Sequence, residues 1–175
     1  MTDFVVPPLA KSEVQLAGPQ PVMWTSLVGV SATDNSLTKT ATTGWGNAGA
    51  VSTQQLLSSD GFVEITASET TTTRFFGLSN GNPGATYEEI DFALVQANGS
   101  LYIYQSGAYV AGVGAYVPGD ALRVGVEGGV VKYRKNGALL YTSLVAPTYP
   151  LLVDTSLYSQ NATITAAVKL TIEGN

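Results

Sequence analysis

Residues 119–141 read GDALRVGVEGGVVKYRKNGALLY, and this stretch decides the fold class. Leu122, Val124 and Val126 stand at every second position, and a pleated strand sends such alternate side chains to one face. The Gly-Gly and Asn-Gly pairs that follow supply the positive φ angles that tight hairpin turns require. The stretch therefore predicts consecutive short strands joined by hairpins, with an apolar face toward a core.

The same period of two occurs earlier in the chain. Ile90, Phe92 and Leu94 are expected to share the core face of one strand. In the next strand, Tyr102 and Tyr104 alternate with leucine and isoleucine, so the two tyrosines are expected to point away from the core. Such a pair makes an aromatic stripe on the outside of a sheet.

Short strand candidates follow one another along the chain, and no window has the helical i, i+3, i+4, i+7 spacing of apolar residues. Many short strands with one apolar face each describe two antiparallel sheets packed face to face. The sequence thus predicts an all-β sandwich. The strand candidates are residues 23–30, 36–40, 49–57, 61–68, 73–78, 89–96, 100–105, 109–114, 122–127, 130–134, 138–142, 151–158 and 163–172.

The chain of 175 residues is expected to hold one sandwich domain behind a short arm. Residues 1–21 contain four prolines, which exclude a helix and favour polyproline or edge-strand geometry. The sandwich is expected to occupy residues 22–175. Residues 1–11 lack a basic start followed by an apolar core, and no apolar run reaches the ~20 residues that span a bilayer. We therefore expect neither a signal peptide nor membrane insertion.

The composition narrows the classes of function. The chain has no cysteine and no histidine, which removes disulfides, thiolate metal sites and the commonest general base and zinc ligand. Only 12% of the residues are charged and the net charge is −5, so nucleic acid is a poor partner. We expect no cofactor. The neutral polar surface favours an extracellular, cell-surface or virion location over a cytoplasmic one.

Residues 119–141 resemble the late hairpins of concanavalin A-like jelly rolls, including SPRY-like and laminin-G-like domains. In those domains a Gly-Asp pair precedes a strand, and a later strand ends in an aromatic-x-x-Asn-Gly turn, as at Tyr133 here. The stretch GLSNG at residues 77–81, before IDFA at residues 90–93, also resembles uncharacterised modules of bacterial surface proteins. The resemblance covers residues 23–170 and implies a two-sheet antiparallel jelly-roll β-sandwich. This fold hosts sugar binding, peptide binding, glycan hydrolysis and structural roles.

One consequence of the resemblance concerns catalysis. Glucanases with this fold carry a Glu-x-Asp-x-Glu strand that supplies the nucleophile and the acid/base. Here Glu89 and Asp91 resemble the first two positions, and Ala93 replaces the third. Because retaining hydrolysis needs two carboxyl groups about 5 Å apart, we expect that the chain is not an enzyme. A carboxylate-based hydrolase is the third hypothesis.

Trp45 and Asn47 form the first candidate binding site, in the glycine-flanked stretch TGWGNAG at residues 43–49. An exposed indole can stack on the apolar face of a pyranose, and the nearby amide can bond hydroxyl groups. Alternatively, the indole folds back and closes one end of the sandwich.

The second candidate site is the loop at residues 80–89, which offers Asn80, Asn82, Tyr87 and Glu88. Its amides, ring and carboxylates suit a carbohydrate. Oxygen ligands for calcium are an alternative, but no Asp-x-Asp-x-Asp spacing is present, and we predict no metal site. A solvated turn without a ligand is the remaining alternative.

The third candidate site is the stripe of Tyr102 and Tyr104, either a sugar platform or a subunit interface, since tyrosine is enriched in both. Ordinary cross-strand pairing is the alternative. The three sites and the resemblance favour a non-catalytic carbohydrate-binding, lectin-like module with a glycan or polysaccharide as partner. The second hypothesis is a structural or assembly protein, such as a virion decoration, appendage or surface-layer subunit. In that homo-oligomer the arm at residues 1–21 contacts a neighbouring subunit.

Overall fold

Sixteen β-strands and one 3₁₀ turn make up the regular structure of residues 18–171, the part of the chain that the computed structural model describes. The side chains of residues 169–171 are outside this description. None of the described residues forms a helix long and apolar enough to cross a membrane. The elements are β1 (Gln20–Pro21), β2 (Trp24–Val28), β3 (Val30–Thr33), β4 (Ser36–Lys39), β5 (Gly49–Leu56), β6 (Gly61–Thr66), β7 (Thr73–Ser79), the 3₁₀ turn (Tyr87–Glu89), β8 (Phe92–Ala97), β9 (Ser100–Gln105), β10 (Ala108–Ala115), β11 (Ala121–Glu127), β12 (Val130–Lys135), β13 (Ala138–Thr142), β14 (Leu151–Leu157), β15 (Thr163–Ile164) and β16 (Val168–Thr171).

The strands form two large antiparallel sheets and one small sheet. The six-stranded sheet has the order β1-β16-β6-β11-β12-β13, and the seven-stranded sheet has the order β10-β9-β8-β7-β14-β5-β2. Strands β15, β4 and β3 form the small sheet. Strands far apart in the chain are neighbours, such as β7 and β14, and this connectivity is that of a jelly roll. The predicted two-sheet antiparallel jelly-roll sandwich is confirmed.

The hydrophobic core lies between the six-stranded and the seven-stranded sheets. Alternate residues of β8, β9 and β11 are buried in it, because side chains one residue apart in a strand point to opposite faces. The hairpin turn at Asn136-Gly137 has φ angles of 50° and 81°, as its sequence predicts. The predicted core positions that are confirmed are Phe92, Leu94, Leu101, Ile103, Leu122, Val124 and Val126.

Ile90 is the exception among the predicted core positions. Strand β8 begins at Phe92, three residues later than predicted, and the preceding residues form the 3₁₀ turn. Ile90 is fully buried, but it packs with Phe75, Ala93 and Val95 in a second cluster, apart from the main core. The prediction that Ile90 shares the face of Phe92 is wrong, because the period of two holds only within a strand.

Two predicted strands are each divided in two. The prediction at residues 23–30 becomes β2 and β3, because the chain turns at Gly29 with a φ of 55°. The prediction at residues 163–172, whose last residue lies outside the described part, becomes β15 and β16. Ala166 lies between these two strands with a φ of 54°. A positive φ takes the backbone out of the extended region and ends the strand.

The predicted N-terminal arm is described only at its end. Residues 1–17 lie outside the described residues. Gln20 and Pro21 form β1 and pair with Lys169 and Val168 of β16, at one edge of the six-stranded sheet. An edge position suits Pro21, because proline cannot donate to a sheet ladder.

Gln96 is a polar side chain that is fully buried without a hydrogen-bond partner. It lies on β8 opposite the core residue Leu101, and neither its amide oxygen nor its amide nitrogen is bonded within the described residues. An unsatisfied buried amide costs about 1–3 kcal/mol. Methionine has a similar length without the amide, so Gln96→Met is expected to raise the free energy of unfolding by about 1–2 kcal/mol in urea denaturation.

The matched control for this prediction is Gln105→Met. The Gln105 amide donates to the Ser143 hydroxyl at 2.8 Å and to the Tyr133 hydroxyl at 3.3 Å. Replacing the amide removes both hydrogen bonds and leaves the two hydroxyl groups without this donor. We expect this variant to lose stability. A gain in both variants would show that added apolar surface, and not the unsatisfied amide, is responsible.

Candidate functional site

The outer face of the seven-stranded sheet, opposite the core, carries a groove lined mainly by aromatic rings. Its volume is about 260 Å³. Strands β7 to β10 supply part of the lining, and two loops supply the rest. This aromatic groove is lined by Trp45, Thr73, Phe75, Tyr87, Val95, Ala97, Tyr102, Tyr104 and Tyr109.

The hairpin of β9 and β10 positions three of the tyrosines. Tyr102 and Tyr104 point outward from β9, as predicted from the period of two. Tyr109 of β10 pairs directly with Tyr104, and the two ring centroids lie 5.8 Å apart. The turn at Ser106-Gly107, with φ angles of 47° and 81°, fixes this register.

Trp45 reaches the groove from the loop at residues 40–48. Its indole meets Phe75 edge-on with ring centroids 5.2 Å apart, and it lies 4.8 Å from the rings of Tyr87 and of Tyr158. These contacts hold the indole while 39% of the residue stays exposed. Trp45 is therefore a fixed, partly exposed ring on the sheet surface and not a plug of the core.

A buried lysine anchors the loop that carries this indole. Lys39 is fully buried, and its Nζ lies 2.7–2.9 Å from four oxygen atoms. Three are the carbonyl oxygens of Gly44, Leu157 and Tyr158, and the fourth is Oδ1 of Asn47. Burial lowers the pKa of the Lys39 ammonium.

The loop at residues 80–91 brings Tyr87 to the groove. The main-chain N–H of Asn80 donates to Oδ2 of Asp91 at 2.8 Å, which closes the base of the loop. The side-chain amide of Asn80 donates to the Pro150 carbonyl at 2.9 Å. The predicted binding group Asn80 therefore serves to hold the loop.

The polar groups near the 3₁₀ turn are bonded within the same loop. The amide nitrogen of Asn82 donates to Oε1 of Glu89 at 2.9 Å and to the Gly84 carbonyl at 2.6 Å. Burial raises the pKa of the Glu89 carboxyl, and the neighbouring charge of Glu88 raises it further, against a hydrogen bond from Gly84. Glu88 itself is exposed and packs against Gly107 of the β9–β10 turn.

Asp154 is a buried carboxyl group in contact with the start of this loop. Its Oδ2 lies 2.8 Å from the hydroxyl oxygen of Ser79, which in turn lies 2.7 Å from the carbonyl oxygen of Gly81. Burial raises the pKa of Asp154 to about 7, against the Ser79 hydrogen bond, and the charges of Glu89 and Asp91 raise it further. This group changes its charge close to neutral pH.

Half of the residues predicted to bind a ligand meet in the groove. The four that line it are Trp45, Tyr87, Tyr102 and Tyr104. The other four, which do not line it, are Asn47, Asn80, Asn82 and Glu88. Both ends of the Asn47 amide are bonded beside the groove, since its Oδ1 accepts from Lys39 and its Nδ2 donates to the Thr42 carbonyl at 3.0 Å.

Two rings that line the groove, Phe75 and Tyr109, and one beside it, Tyr158, are not among the residues that the sequence singles out for binding. Phe75 is the outward neighbour of a core residue on β7, which the period of two can show once the strand is placed. Tyr109 follows from the hairpin register opposite Tyr104. Tyr158 has no local signal, because only the long-range packing of β14 brings it to Trp45.

Two antiparallel sheets in jelly-roll order define a jelly-roll fold of the concanavalin A-like kind. Among solved structures, the chain is similar to the potassium-bound carbohydrate recognition domain of Emp46p, with a TM-score of 0.61 and 13% identity over 86% of this chain and 89% of that chain. It is also similar to the exoplasmic/lumenal domain of VIP36 in its Ca²⁺/Man3GlcNAc-bound form, with a TM-score of 0.63 and 10% identity over 89% and 87% of the two chains.

The carbohydrate recognition domain of Emp47p is a further structural neighbour, with a TM-score of 0.52 and 12% identity over 85% of this chain and 88% of that chain. No family model and no curated protein sequence matches the chain. At these identities the likeness shows the fold. The resemblance to concanavalin A-like jelly rolls that residues 119–141 indicate is confirmed at that level.

Proposed function

We propose that this protein is a carbohydrate-binding, lectin-like module that binds a neutral glycan or polysaccharide in the aromatic groove. The observation that carries the proposal is the meeting of Trp45, Tyr102 and Tyr104 in one partly exposed groove. Sugar rings have apolar C–H faces that pack on aromatic rings, while their hydroxyl groups bond polar edges such as tyrosine hydroxyls. The descriptions of Emp46p and VIP36, as a carbohydrate recognition domain and a Man3GlcNAc complex, support this ligand class.

The charge distribution favours a neutral ligand over an acidic one. All residues that line the groove are uncharged. The adjoining loop carries Glu88 and Glu89, and the whole chain has a net charge of −5. The Lys39 ammonium is enclosed by protein oxygens and fully buried. A polysaccharide with carboxylate groups would therefore meet repulsion without a compensating cation.

The carboxyl groups beside the groove support binding without hydrolysis. Asp91 accepts the Asn80 N–H, and Glu89 accepts the Asn82 amide, so both are engaged in closing the loop. Ala93, where glucanases have the third carboxylate, is fully buried. Glycoside hydrolysis needs two carboxyl groups that face the sugar, and none of the residues that line the groove has a carboxyl group.

Affinity electrophoresis tests the proposal with mannan, xylan and β-glucan as neutral probes and with alginate and polygalacturonate as acidic ones. We expect at least one neutral polysaccharide to retard the protein and neither acidic one to do so. Trp45→Ala is expected to weaken that binding tenfold or more, about 1.4 kcal/mol, because aromatic contacts dominate such interfaces.

Two control variants separate the groove from the rest of the surface. Leu144 is 94% exposed and does not line the groove, so Leu144→Ala should bind like the wild type. Tyr104→Phe keeps the ring and should retain most of the binding. Equal retardation of the wild type and Trp45→Ala, or no retardation by any neutral probe, would remove the proposal.

The structural or assembly function stays a prediction. Most of the arm on which it rests, residues 1–17, lies outside the described residues. The part that is described, at Gln20 and Pro21, pairs within its own sheet.

A further inference from the structure

The Nζ atom of Lys39 lies in a cage of four oxygen atoms. A lysine ammonium has only three N–H bonds, so at least one of them is shared between two acceptors. Three acceptors are main-chain carbonyls and the fourth is the Asn47 amide oxygen. A shell of neutral oxygens around a compact positive charge is the arrangement with which proteins bind hard cations.

The charge in this cage has no carboxylate partner. Within residues 18–171, ion pairs join Arg74 to Glu69, Arg123 to Glu64 and Arg134 to Glu127, and Lys39 takes part in none. A buried unpaired charge is strongly unfavourable unless hydrogen bonds replace its hydration. The four oxygens supply these hydrogen bonds, and the ammonium holds all four close to its nitrogen atom.

The four oxygens come from two segments: one carries Trp45, which lines the groove, and the other carries Tyr158, which packs against Trp45. Gly44 and Asn47 flank Trp45 closely in the loop at residues 40–48. The other two are the carbonyl oxygens of Leu157, the last residue of β14, and of Tyr158, the residue after it. The ring of Tyr158 lies 4.8 Å from the indole. The ammonium therefore joins Gly44, the residue before Trp45, to Tyr158, whose ring packs on the indole.

We propose that Lys39 is a positioning residue, whose ammonium occupies the place that a bound cation would take. It holds the loop that carries Trp45 against the end of β14 and so shapes the aromatic groove. The cage that remains when Lys39 is shortened is a binding site for a small primary ammonium ion. The effect on sugar binding rests on the proposed function, whereas the position of the indole does not.

Fluorine NMR of protein labelled with 5-fluorotryptophan measures the indole position directly. The chain has two tryptophans, Trp24 and Trp45, so the spectrum has an internal reference, and Trp45→Phe assigns the signals. We expect Lys39→Ala to shift or broaden the Trp45 signal while that of Trp24 stays in place. Adding n-propylammonium, which has the atoms removed beyond Cβ, should restore the wild-type signal.

Two controls isolate the positive charge. 1-Propanol has a similar size and a hydroxyl donor but no charge, so it should not restore the signal of Lys39→Ala. Lys132→Met removes a lysine from β12 of the other large sheet and should leave both signals unchanged. Restoration by 1-propanol, or a wild-type Trp45 signal in folded Lys39→Ala, would overturn the proposal.

Variants that do not fold also give a decisive result. Lys39→Met keeps an unbranched apolar side chain of similar length but has neither the charge nor an N–H donor, and we expect it to fold with a displaced Trp45 signal. If neither variant folds, n-propylammonium should restore the folded state of Lys39→Ala, since a ligand of the native state stabilises it by mass action. Failure of that rescue would overturn the proposal.

Binding of the polysaccharide is measured separately from the position of the indole. In the affinity gel whose neutral polysaccharide retards the wild type, Lys39→Ala should bind that polysaccharide at least tenfold more weakly. Adding n-propylammonium should restore the binding. If no gel retards the wild type but the NMR results are as expected, the proposed function fails and the role of Lys39 stands. If Lys39→Ala binds like the wild type with an unmoved indole, the role of Lys39 fails alone.

Discussion

Replacing Gly77 by alanine is expected to unfold the domain. A Cβ at this position of β7 would lie 1.8 Å from the carbonyl oxygen of Phe92 and 2.8 Å from its carbonyl carbon. Favourable contacts between heavy atoms lie at about 3.5–4.0 Å, so the two strands would have to separate. These atoms and the Cα of Ala93, at 2.9 Å, belong to the main chain of β8, so no change of side-chain rotamer relieves the contact.

The expected loss is roughly 5 kcal/mol or more, which is comparable with the whole stability of a domain of this kind. Circular dichroism and urea denaturation measure it, and we expect Gly77→Ala to be largely unfolded or to have a strongly lowered midpoint. Gly77 is paired with Ala93 on one side and Asp154 on the other. A separation here therefore disturbs the centre of the seven-stranded sheet that carries the groove.

Gly112→Ala is the matched control, because it makes the same change in the same sheet. The nearest heavy atom to a Cβ at this position is the Tyr109 hydroxyl oxygen at 3.6 Å, an ordinary contact distance. We expect its stability to stay within about 1 kcal/mol of the wild type. Wild-type stability in Gly77→Ala would be incompatible with the close pairing of β7 and β8.

The sequence is sufficient to predict the sandwich because the period of two is a local property of each strand. Leu122, Val124 and Val126 show their shared face without knowledge of any other strand, and the structure buries all three. Strand ends are harder to predict, since they depend on single backbone angles such as the φ of 55° at Gly29. The period of two places Ile90 on the wrong face because β8 begins only after it.

The candidate site is less predictable because its members meet through long-range packing. Aromatic residues outside the predicted core indicate a surface that could bind a ligand, and four of the groove-lining rings can be recognised in this way: Trp45, Tyr87, Tyr102 and Tyr104. The hydrogen-bond partners of polar side chains cannot be recognised from the sequence. The Asn47 amide looks free in the sequence, yet it is bonded to a lysine that composition alone would place on the surface.

Asp154→Asn is expected to remove a pH dependence of stability near neutral pH. The folded-state pKa of Asp154 is about 7, compared with an ordinary value of 3.8, so the folded protein keeps a proton that the unfolded chain releases. This contribution to stability is complete below the ordinary pKa and is lost as the pH rises through about 7. The full difference corresponds to about 4 kcal/mol.

The hydrogen bonds around Asp154 give the physical reason. Ser79 has one hydroxyl proton but lies within bonding distance of both Oδ2 of Asp154 and the carbonyl oxygen of Gly81. A neutral Asp154 donates its own proton to Ser79, and Ser79 then donates to Gly81, so every acceptor is satisfied. Once Asp154 is ionised, the single Ser79 proton can satisfy only one of the two, and a buried charge is left close to Glu89 and Asp91.

Asparagine preserves this chain of hydrogen bonds and has no titratable group. Its amide nitrogen can donate to Ser79, and its amide oxygen can accept the Thr155 N–H that Asp154 accepts at 2.8 Å. We expect the wild type to lose about 3 kcal/mol between about pH 5 and about pH 8, or roughly 9 °C in Tm, and Asp154→Asn to lose much less. Calorimetry across this range measures the difference, with Asp34→Asn, a change in an exposed turn, as the control that should follow the wild type. Parallel pH profiles for the wild type and Asp154→Asn would mean that Asp154 is ionised throughout this range and does not donate a hydrogen bond to Ser79 beside the groove.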